Sequence, residues 1–434
     1  MSLLGLDIGS SSVKAAVLRG TRIAGTVATA KFKTRYDGVR AEVSPDEILR
    51  ALRSAIRDLG AAATKVDAVA ISVMSPAWVA MDAAGKPLTP IVTHQDRRSV
   101  SEAHAIERRV GLKRHLRLAG NRPFPGGISS TTWAWFKKHE PARLRAVDLV
   151  GHLNTFVHRQ LTGERVIDPS NASFTGLYDT QSLAGWSDEL CAAAGVPRSL
   201  LPDLFDSGDD VAGKVSRQGA TRFGLSAGLP VMAGLVDGSA GMLLAGAKVG
   251  QLLNVSGSTD VLALCVSRPQ PHERLLTRAL GVGRKWVSVS TMAAVGTALN
   301  WARAQLFPDL PEEKFWRLVA SSAKPNALGR VAFLNRLAGD RTSIEQQTAS
   351  FTGLTLATTR DELLAAIVDS LAQDSAARLE MLRQPGVSFR RRVVVAGGVG
   401  RRLSHVLHRD WPGRWEFAIP PAEATLRGLG VFDR

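Results

Sequence analysis

The stretch Asp7-Ile8-Gly9-Ser10-Ser11-Ser12-Val13-Lys14 lies between two apolar segments, Ser2–Leu6 and Val13–Leu18, that have the composition of β-strands. A turn of small residues can bring backbone N–H groups close to a phosphate, because no bulky side chain intervenes. Asp7, at the end of the first strand, is placed to hold a magnesium-bound water. The stretch therefore predicts a phosphate-binding hairpin, although most turns of this composition are plain hairpins.

A second stretch of the same kind occurs in the other half of the chain. Leu252–Leu264 again predicts strand, turn and strand, with Ser256-Gly257-Ser258-Thr259 at the turn. Two halves that open in the same way indicate a diverged internal duplication. We therefore expect two α/β domains, residues 1–228 and 229–434, with the boundary near the polar, glycine-rich segment Ser207–Leu229.

Composition places the chain among globular enzymes. It has 434 residues, of which 45% are hydrophobic and 22% charged, and 55 Lys and Arg against 39 Asp and Glu give a net charge of +16. The basic residues are scattered, with only short clusters such as Arg390-Arg391-Arg392, so no nucleic-acid partner is expected. A positive field instead favours anionic nucleotides.

The location expected from the sequence is the cytoplasm. Only two cysteines occur, Cys191 and Cys265, so neither a disulfide framework nor a thiolate metal site is available. The N-terminus enters a strand without the pattern of a signal peptide, and no apolar run is long enough to span a bilayer, so no membrane partner is expected. The sequence leaves the oligomeric state open, with a homodimer among the possibilities.

Three local predictions support the α/β assignment. Ser44-Pro45-Asp46-Glu47 predicts the start of a helix that runs toward Leu59, with a capping box between Ser44 and Glu47. Val66–Val73 predicts a buried strand, and Val147–Leu161 predicts a helix.

Three motifs together resemble the FGGY carbohydrate kinase family of the actin, Hsp70 and sugar kinase superfamily, over essentially the whole chain. The first phosphate motif matches at Asp7, Gly9, Ser10, Ser11 and Lys14, the second at Ser256 to Thr259, and the adenosine motif at Ala396-Gly397-Gly398-Val399-Gly400-Arg401. The resemblance implies two RNase H-like (actin-like ATPase) domains with a nucleotide and sugar cleft between them.

The resemblance also implies ATP and Mg²⁺ as cofactors, with Asp7 at the metal. The implied nucleotide-binding residues are Gly9, Ser10, Ser11, Lys14, Gly257, Ser258, Thr259, Gly397, Gly398 and Arg401. Two of these assignments have structural alternatives, since Asp7 can cap its own turn and Gly397-Gly398 can be a strand-to-helix turn without a ligand.

Asp237 is the expected general base. The family places its base here, between a strand from Pro230 and a Gly/Ala-rich helix, where a carboxylate can accept the proton of a sugar hydroxyl. The structural alternative is that Asp237 only caps the helix that follows.

The expected substrate-binding residues show where the chain departs from the family; they are Met74, Ser75, Trp78, Asp96 and Arg98, together with Asp237. Ser75 stands where xylulose kinases have a histidine, and Gly238 stands where the family usually has Gln or Asn. Asp96 and Arg98 are kept, in a Gln-Asp-Arg-Arg form that resembles glycerol kinases. Their alternative is a surface ion pair, and the alternative for Trp78 is packing rather than stacking on a sugar.

The leading hypothesis is an ATP-dependent carbohydrate kinase acting on a ketose or polyol, with a xylulose-like substrate. A nucleotide-gated interaction protein like Hsp70 or actin is the first alternative, although Asn254 and Ser256 stand where its second loop has an acidic residue. A sugar-sensing homologue without turnover is the second alternative, which the retention of Asp7 and Asp237 disfavours.

Overall fold

The structure is a computed structural model that describes residues 1–322 and 330–433. It divides into two compact units, which are described separately. The first comprises Met1–Ala247, Cys265–Val287 and Ala422 onward, and the second comprises Lys248–Leu264 and Ser288–Pro421. The domain boundary expected at 228/229 stays a prediction; the compact units first divide the chain after Ala247.

The elements up to Ala247 all belong to the first unit. Its strands there are β1 (Leu3–Ile8), β2 (Ser12–Arg19), β3 (Arg22–Lys31), β4 (Arg35–Asp37), β5 (Arg40–Val43), β6 (Ala68–Val73), β7 (Ala77–Met81), β8 (Ile91–Thr93), β9 (Leu149–His152), β10 (Val166–Ile167), β11 (Asp203–Leu204), β12 (Val211–Lys214), β13 (Pro230–Met232) and β14 (Leu235–Val236). Its helices there are α1 (Pro45–Asp58), α2 (Val100–Val110), α3 (Leu112–Ala119), α4 (Ser129–His139), α5 (Leu153–Leu161), α6 (Pro169–Ala172), α7 (Asp188–Ala194), α8 (Arg217–Phe223) and α9 (Asp237–Leu244).

The remaining elements follow in chain order. The strands are β15 (Leu252–Ser256), β16 (Asp260–Val266), β17 (Leu276–Ala279), β18 (Trp286–Met292), β19 (Ala332–Leu334), β20 (Ser350–Thr352), β21 (Arg392–Ala396) and β22 (Glu416–Ala418). The helices are α10 (Gly296–Leu306), α11 (Glu312–Ser321), α12 (Arg360–Met381), α13 (Gly398–Leu407) and α14 (Ala424–Leu429). No helix in the described part of the chain is long and apolar enough to cross a membrane.

The main sheet of the first unit has the order β12-β13-β6-β1-β2-β3, with β14 also paired to β6. β1 runs antiparallel to β2 and parallel to β6, and β6 runs parallel to β14. β6 is buried at every residue, which explains its continuous apolar sequence. The carboxyl ends of β1, β6 and β14 therefore meet at one edge of this sheet.

A second sheet of the first unit has the order β4-β5-β8-β7-β9. It carries the residues expected near the substrate, because Trp78 in β7 lies between Val92 of β8 and His152 of β9. In the second unit, β15 pairs antiparallel with β16 and parallel with β21, which pairs parallel with β22. Both predicted strand-turn-strand hairpins are therefore confirmed.

Two local predictions need correction. The helix after Ser44 is confirmed, but the capping box is wrong, because Ser44 makes no side-chain cap and the Glu47 carboxylate accepts the Lys33 N–H at 3.2 Å. The predicted helix Val147–Leu161 is wrong in its first part, since Leu149–His152 is the strand β9 and only Leu153–Leu161 is helical. Pairing with β7 satisfies the backbone of that buried segment, so tertiary context overrides its local pattern.

Candidate active site

The first predicted phosphate loop is the turn between β1 and β2. The Gly9 N–H donates to the Ser12 carbonyl at 3.0 Å, and Ser10 and Ser11 are exposed at the tip of the turn. A Cβ on Gly9 would find its nearest neighbour, the Ser12 carbonyl oxygen, at 3.7 Å. A larger residue would fit at position 9 without a clash, so the glycine leaves open space beside the turn.

Asp7 lies at the end of β1, opposite Ser72 of β6, whose hydroxyl donates to Asp7 Oδ1 at 2.8 Å. Burial, followed by the negative charge of Asp237, raises the pKa of Asp7 to about 7, against the opposing effects of Ser72 and Lys14. The Lys14 ammonium is itself ion-paired with Glu423 at 2.6 Å. Asp7 is therefore a carboxyl group that titrates near neutral pH and is coupled to Asp237.

Asp237 follows β14, where Val236 pairs with Val73 of β6. It is the first residue of α9, and Val236 occupies the N-cap position. Asp237 is partly buried, and its Oδ1 accepts the N–H of Gly238 at 2.6 Å. Asp237 therefore makes one hydrogen bond at the start of α9, as the helix-capping alternative requires, but the N-cap position itself is Val236.

A buried network around Asp168 holds the backbone just before Asp237. Asp168 accepts the N–H groups of Ser170 and Asn171 at 2.9 and 3.1 Å and the Asn154 amide at 3.0 Å. The Ser170 hydroxyl bonds Asp168 and accepts the Val236 N–H at 3.0 Å. Burial raises the pKa of Asp168 to about 6. Asp168 has no role predicted from the sequence, although Asp-Pro-Ser-Asn is a recognisable helix start.

Arg278 of β17 is the second residue that sequence reasoning missed. Its side chain is 3% exposed, and Nη1 donates to the Ser239 hydroxyl at 2.7 Å. Burial lowers the pKa of Arg278 to about 10, against the charges of Asp237 and Asp168. The available signal was a charged residue inside the mostly apolar segment Leu275–Leu280.

The second predicted phosphate loop, in the second unit, is the turn between β15 and β16. The Gly257 N–H donates to the Thr259 carbonyl at 2.8 Å, and Ser258 is exposed. The carbonyl groups of Gly257 and Ser258 accept N–H groups from Gly296 and Val295 at the start of α10. These bonds tie the loop to the N-terminus of a helix, where anions also bind in other proteins.

The predicted adenosine motif begins where β21 ends. Gly397 has φ +87°, and a Cβ there would lie 2.1 Å from the Ser256 carbonyl oxygen, so only glycine fits. Gly398 is exposed with no atom near its Cβ position, and Arg401 donates to the Pro420 carbonyl at 2.8 Å. Gly397 is required because its backbone lies against the backbone of Ser256. The nucleotide contacts expected of this segment stay predictions.

The predicted substrate residues on the loop after β6 differ in accessibility. Met74 is buried, with its N–H bonded to the Ile8 carbonyl at 2.7 Å, while Ser75 is partly exposed and its hydroxyl lies 3.5 Å from His152 Nδ1. Trp78 is 3% exposed and stacks on Phe136 at 5.2 Å. The cavity that it lines holds only about 10 Å³. Its sugar contact stays a prediction, and its position favours packing.

Asp96 and Arg98 form a buried ion pair. Asp96 is 1% exposed, and its oxygens accept the Arg98 guanidinium at 2.7 to 3.0 Å and the Ala41 N–H at 2.8 Å. Arg98 also contacts Glu42 at 2.5 Å and lies over the ring of Trp135 at 4.9 Å. The alternative of a surface ion pair is wrong, because both side chains are enclosed.

Two family models cover most of the chain. The N-terminal domain of the FGGY family of carbohydrate kinases matches residues 2–244, and the C-terminal domain of that family matches residues 252–406. The match over both halves agrees with the predicted two-domain α/β fold of the RNase H-like type.

Individual proteins give the same result. The chain is 25% identical to xylulose kinase from Escherichia coli (strain K12), over 91% of this chain and 81% of that protein. It is 26% identical to gluconokinase from Bacillus subtilis (strain 168), over 85% of this chain and 74% of the relative. The crystal structure of xylulose kinase from Rhodospirillum rubrum matches with a TM-score of 0.87 at 25% identity, covering 99% of this chain and 89% of that chain. The chain belongs to the FGGY family of carbohydrate kinases and is an ATP-dependent phosphotransferase.

Proposed function

We propose that the chain transfers the γ-phosphoryl group of ATP to a hydroxyl of an open-chain carbohydrate, with Asp237 as the general base. The observation that carries this proposal is the placement of Asp7 and Asp237 at the same edge of one sheet, with Asp7 at the end of β1 and Asp237 directly after β14. With two carboxyl groups at one edge of a sheet, one can hold the metal ion that binds the phosphates, and the other can accept the proton of the acceptor hydroxyl.

Phosphoryl transfer depends on positioning and charge stabilisation more than on covalent help. As the acceptor oxygen bonds the γ-phosphorus, the Asp237 carboxylate accepts the hydroxyl proton, and the bond from phosphorus to the ADP oxygen breaks. The Gly238 N–H orients the carboxylate, and the network from Asp168 through Ser170 fixes the Val236 backbone before it. Asp237 later releases the proton to solvent.

The donors on the chain fit magnesium that arrives with ATP. In residues 1–322 and 330–433 no group of three His, Cys, Asp or Glu side chains forms a metal cage. Mg²⁺ commonly uses one or two protein carboxylates and completes its shell with water and phosphate oxygens, so Asp7 alone can serve. When bound, the ion neutralises charge on the β- and γ-phosphates.

For the acceptor, the sequence predicts a ketose or polyol of the xylulose type, and such compounds are the first to try. We propose that Ser75 reaches the acceptor, since it is partly exposed and its hydroxyl is close to His152. The burial of Asp96 and Arg98 favours a supporting role behind the substrate loops. A cytoplasmic location, where ATP is available, also belongs to this proposal.

An ADP-release assay over ketoses, polyols and aldonic acids tests the function. We expect at least one acceptor to stimulate ADP release well above the rate of ATP hydrolysis alone, with a matching phosphate ester detected by ³¹P NMR. ADP release without an ester would contradict the proposal, because water would then be the acceptor.

A further inference from the structure

Beside the proposed base lies a buried cation that the reaction described above does not use. Arg278 is 3% exposed, yet the one hydrogen bond that it makes in the described part of the chain goes to a neutral group, the Ser239 hydroxyl. No carboxylate of residues 1–322 and 330–433 forms an ion pair with it. Within the described residues only Nη1 of this guanidinium donates to a protein acceptor, so its other N–H donors are left for water or for a ligand.

The position of Arg278 relative to Asp237 indicates which ligand. The charges that act on Asp7 are those of Asp237, Lys14 and Glu423, whereas those that act on Arg278 are Asp237, Asp168 and Cys265. Asp237 is the one group common to both sets. The guanidinium also contacts the two residues that follow the base, because Nη1 bonds the Ser239 hydroxyl and Nη2 lies 2.8 Å from the position of a Cβ on Gly238, so a ligand of Arg278 would lie next to Asp237.

The guanidinium is held against the first turn of α9. A Cβ on Gly238 would lie 2.8 Å from Arg278 Nη2, so the guanidinium fills the space that a side chain at 238 would need. Arg278 cannot drift from this position easily, because its strand is anchored on either side of it.

That anchoring is by side chains of the same unit. The Asn121 amide bonds the Thr277 backbone in both directions, at 2.8 Å each way, and the Ser173 hydroxyl accepts the Ala279 N–H at 3.0 Å. A preorganised arginine on a rigid strand is suited to bidentate recognition of a carboxylate.

We propose that Arg278 binds a carboxylate of the acceptor, so that the acceptor is a sugar acid of the aldonate class. This inference rests on the proposed kinase function and changes its expected acceptor from a neutral ketose or polyol to a sugar acid. One end of the acceptor then contacts Arg278, and a hydroxyl further along the chain faces Asp237.

The test compares D-gluconate with D-glucitol, which share their hydroxyl groups and differ only at C1, by calorimetric titration of the full chain without nucleotide. We expect gluconate to bind at least about tenfold more tightly, as a charge-assisted bidentate contact would produce. Arg278→Gln should abolish the preference, and Arg278→Lys should keep part of it. Arg284→Gln, an exposed arginine of the same segment, is the matched control and should leave it unchanged.

Gly238→Ala provides a second variant if Arg278→Gln does not fold, since its methyl group displaces the guanidinium without removing it. The inference is overturned if glucitol binds as well as gluconate, or if the preference survives in Arg278→Gln or Gly238→Ala. It is also overturned if Arg278→Gln lowers kcat equally for charged and neutral acceptors, because Arg278 would then act on the phosphoryl group. A gluconate preference without ADP release from any acceptor would leave this binding site standing and defeat the kinase proposal instead.

Discussion

The two phosphate-type hairpins have the same kind of turn and opposite surroundings. In the β1–β2 hairpin, Asp7 is partly buried, and this burial, followed by the like charge of Asp237, raises its pKa to about 7. In the β15–β16 hairpin, Asp260 is 1% exposed and is held by Arg378 at 2.6 Å and by the Asn254 amide at 2.9 and 3.0 Å. One hairpin keeps a carboxyl group available for chemistry, and the other uses its carboxylate as internal structure.

The glycines at the two hairpins differ in the same way. Gly9 has room for a side chain, whereas Gly397, which lies against β15, has none because the Ser256 carbonyl oxygen would be 2.1 Å from its Cβ. Small residues in the first hairpin leave space for a ligand, and the glycine beside the second lets two segments of backbone meet. We therefore expect substitutions around the first hairpin to reduce activity and substitutions around the second hairpin to reduce stability.

The largest expected effect is on turnover in the first unit. Asp237→Asn should lower kcat by about 10²- to 10⁴-fold, because the amide cannot accept the acceptor proton, while the melting temperature stays within a few degrees. Steady-state kinetics and thermal unfolding of one sample measure both quantities. Asp58→Asn, an exposed carboxylate of α1, is the control. Unchanged turnover in Asp237→Asn would return this residue to a helix-terminal role.

The next effect should appear as stability in the second unit. Asp260→Ala leaves Arg378 buried without its carboxylate, which should cost about 3–5 kcal/mol of the free energy of unfolding. Lys14→Met breaks the partly exposed ion pair with Glu423 and should cost less than about 1 kcal/mol. Urea unfolding compares the two variants. Equal losses would mean that the two hairpins do not differ in the way described.

Regular patterns in the sequence predicted most of the elements, and long-range contacts account for the failures. The turns at Gly9 and Gly257 and the strand that ends at Val73 were predictable because small-residue turns and β-branched runs act locally. The strand Leu149–His152 was not, since its partner β7 is more than sixty residues away in sequence. Local pattern alone carries no information about such a partner.

The candidate site shows the same limit. Asp7 and Asp237 were predictable because each belongs to a motif, whereas Arg278 comes from a strand without one and reaches the site only by folding. The burial of Asp96 with Arg98 was equally invisible, because a charged pair in a loop usually lies at the surface.

A smaller effect is expected from pH through His408, which contacts the second hairpin by placing Nε2 3.2 Å from Asn254 Oδ1. Burial lowers its pKa to about 4, so between about 6.5 and 4 the unfolded chain binds a proton that the folded chain does not. The free energy of unfolding should therefore fall as pH decreases through that window, by up to about 1.4 kcal/mol per pH unit for this proton. His408→Gln should show a shallower fall in urea unfolding between pH 7 and pH 5, and the exposed His272→Gln should not. Parallel curves for wild type and His408→Gln would assign the acid sensitivity to other groups.

The smallest effect, and the most specific to the first hairpin, is expected from Asp7→Asn. The amide keeps an oxygen for the Ser72 hydroxyl, so the loop should hold its shape while losing the charge that attracts a magnesium-bound water. Affinity for ATP with Mg²⁺ should fall by about tenfold, the order expected for one charged contact. Affinity for ATP with EDTA should stay level or rise, since a carboxylate that repels phosphate has been removed. Calorimetric titration in the two buffers separates these signs. Equal losses with and without magnesium would show that Asp7 supports the fold of the loop rather than the ion, and the contrast between the two hairpins would then rest on Asp237 alone.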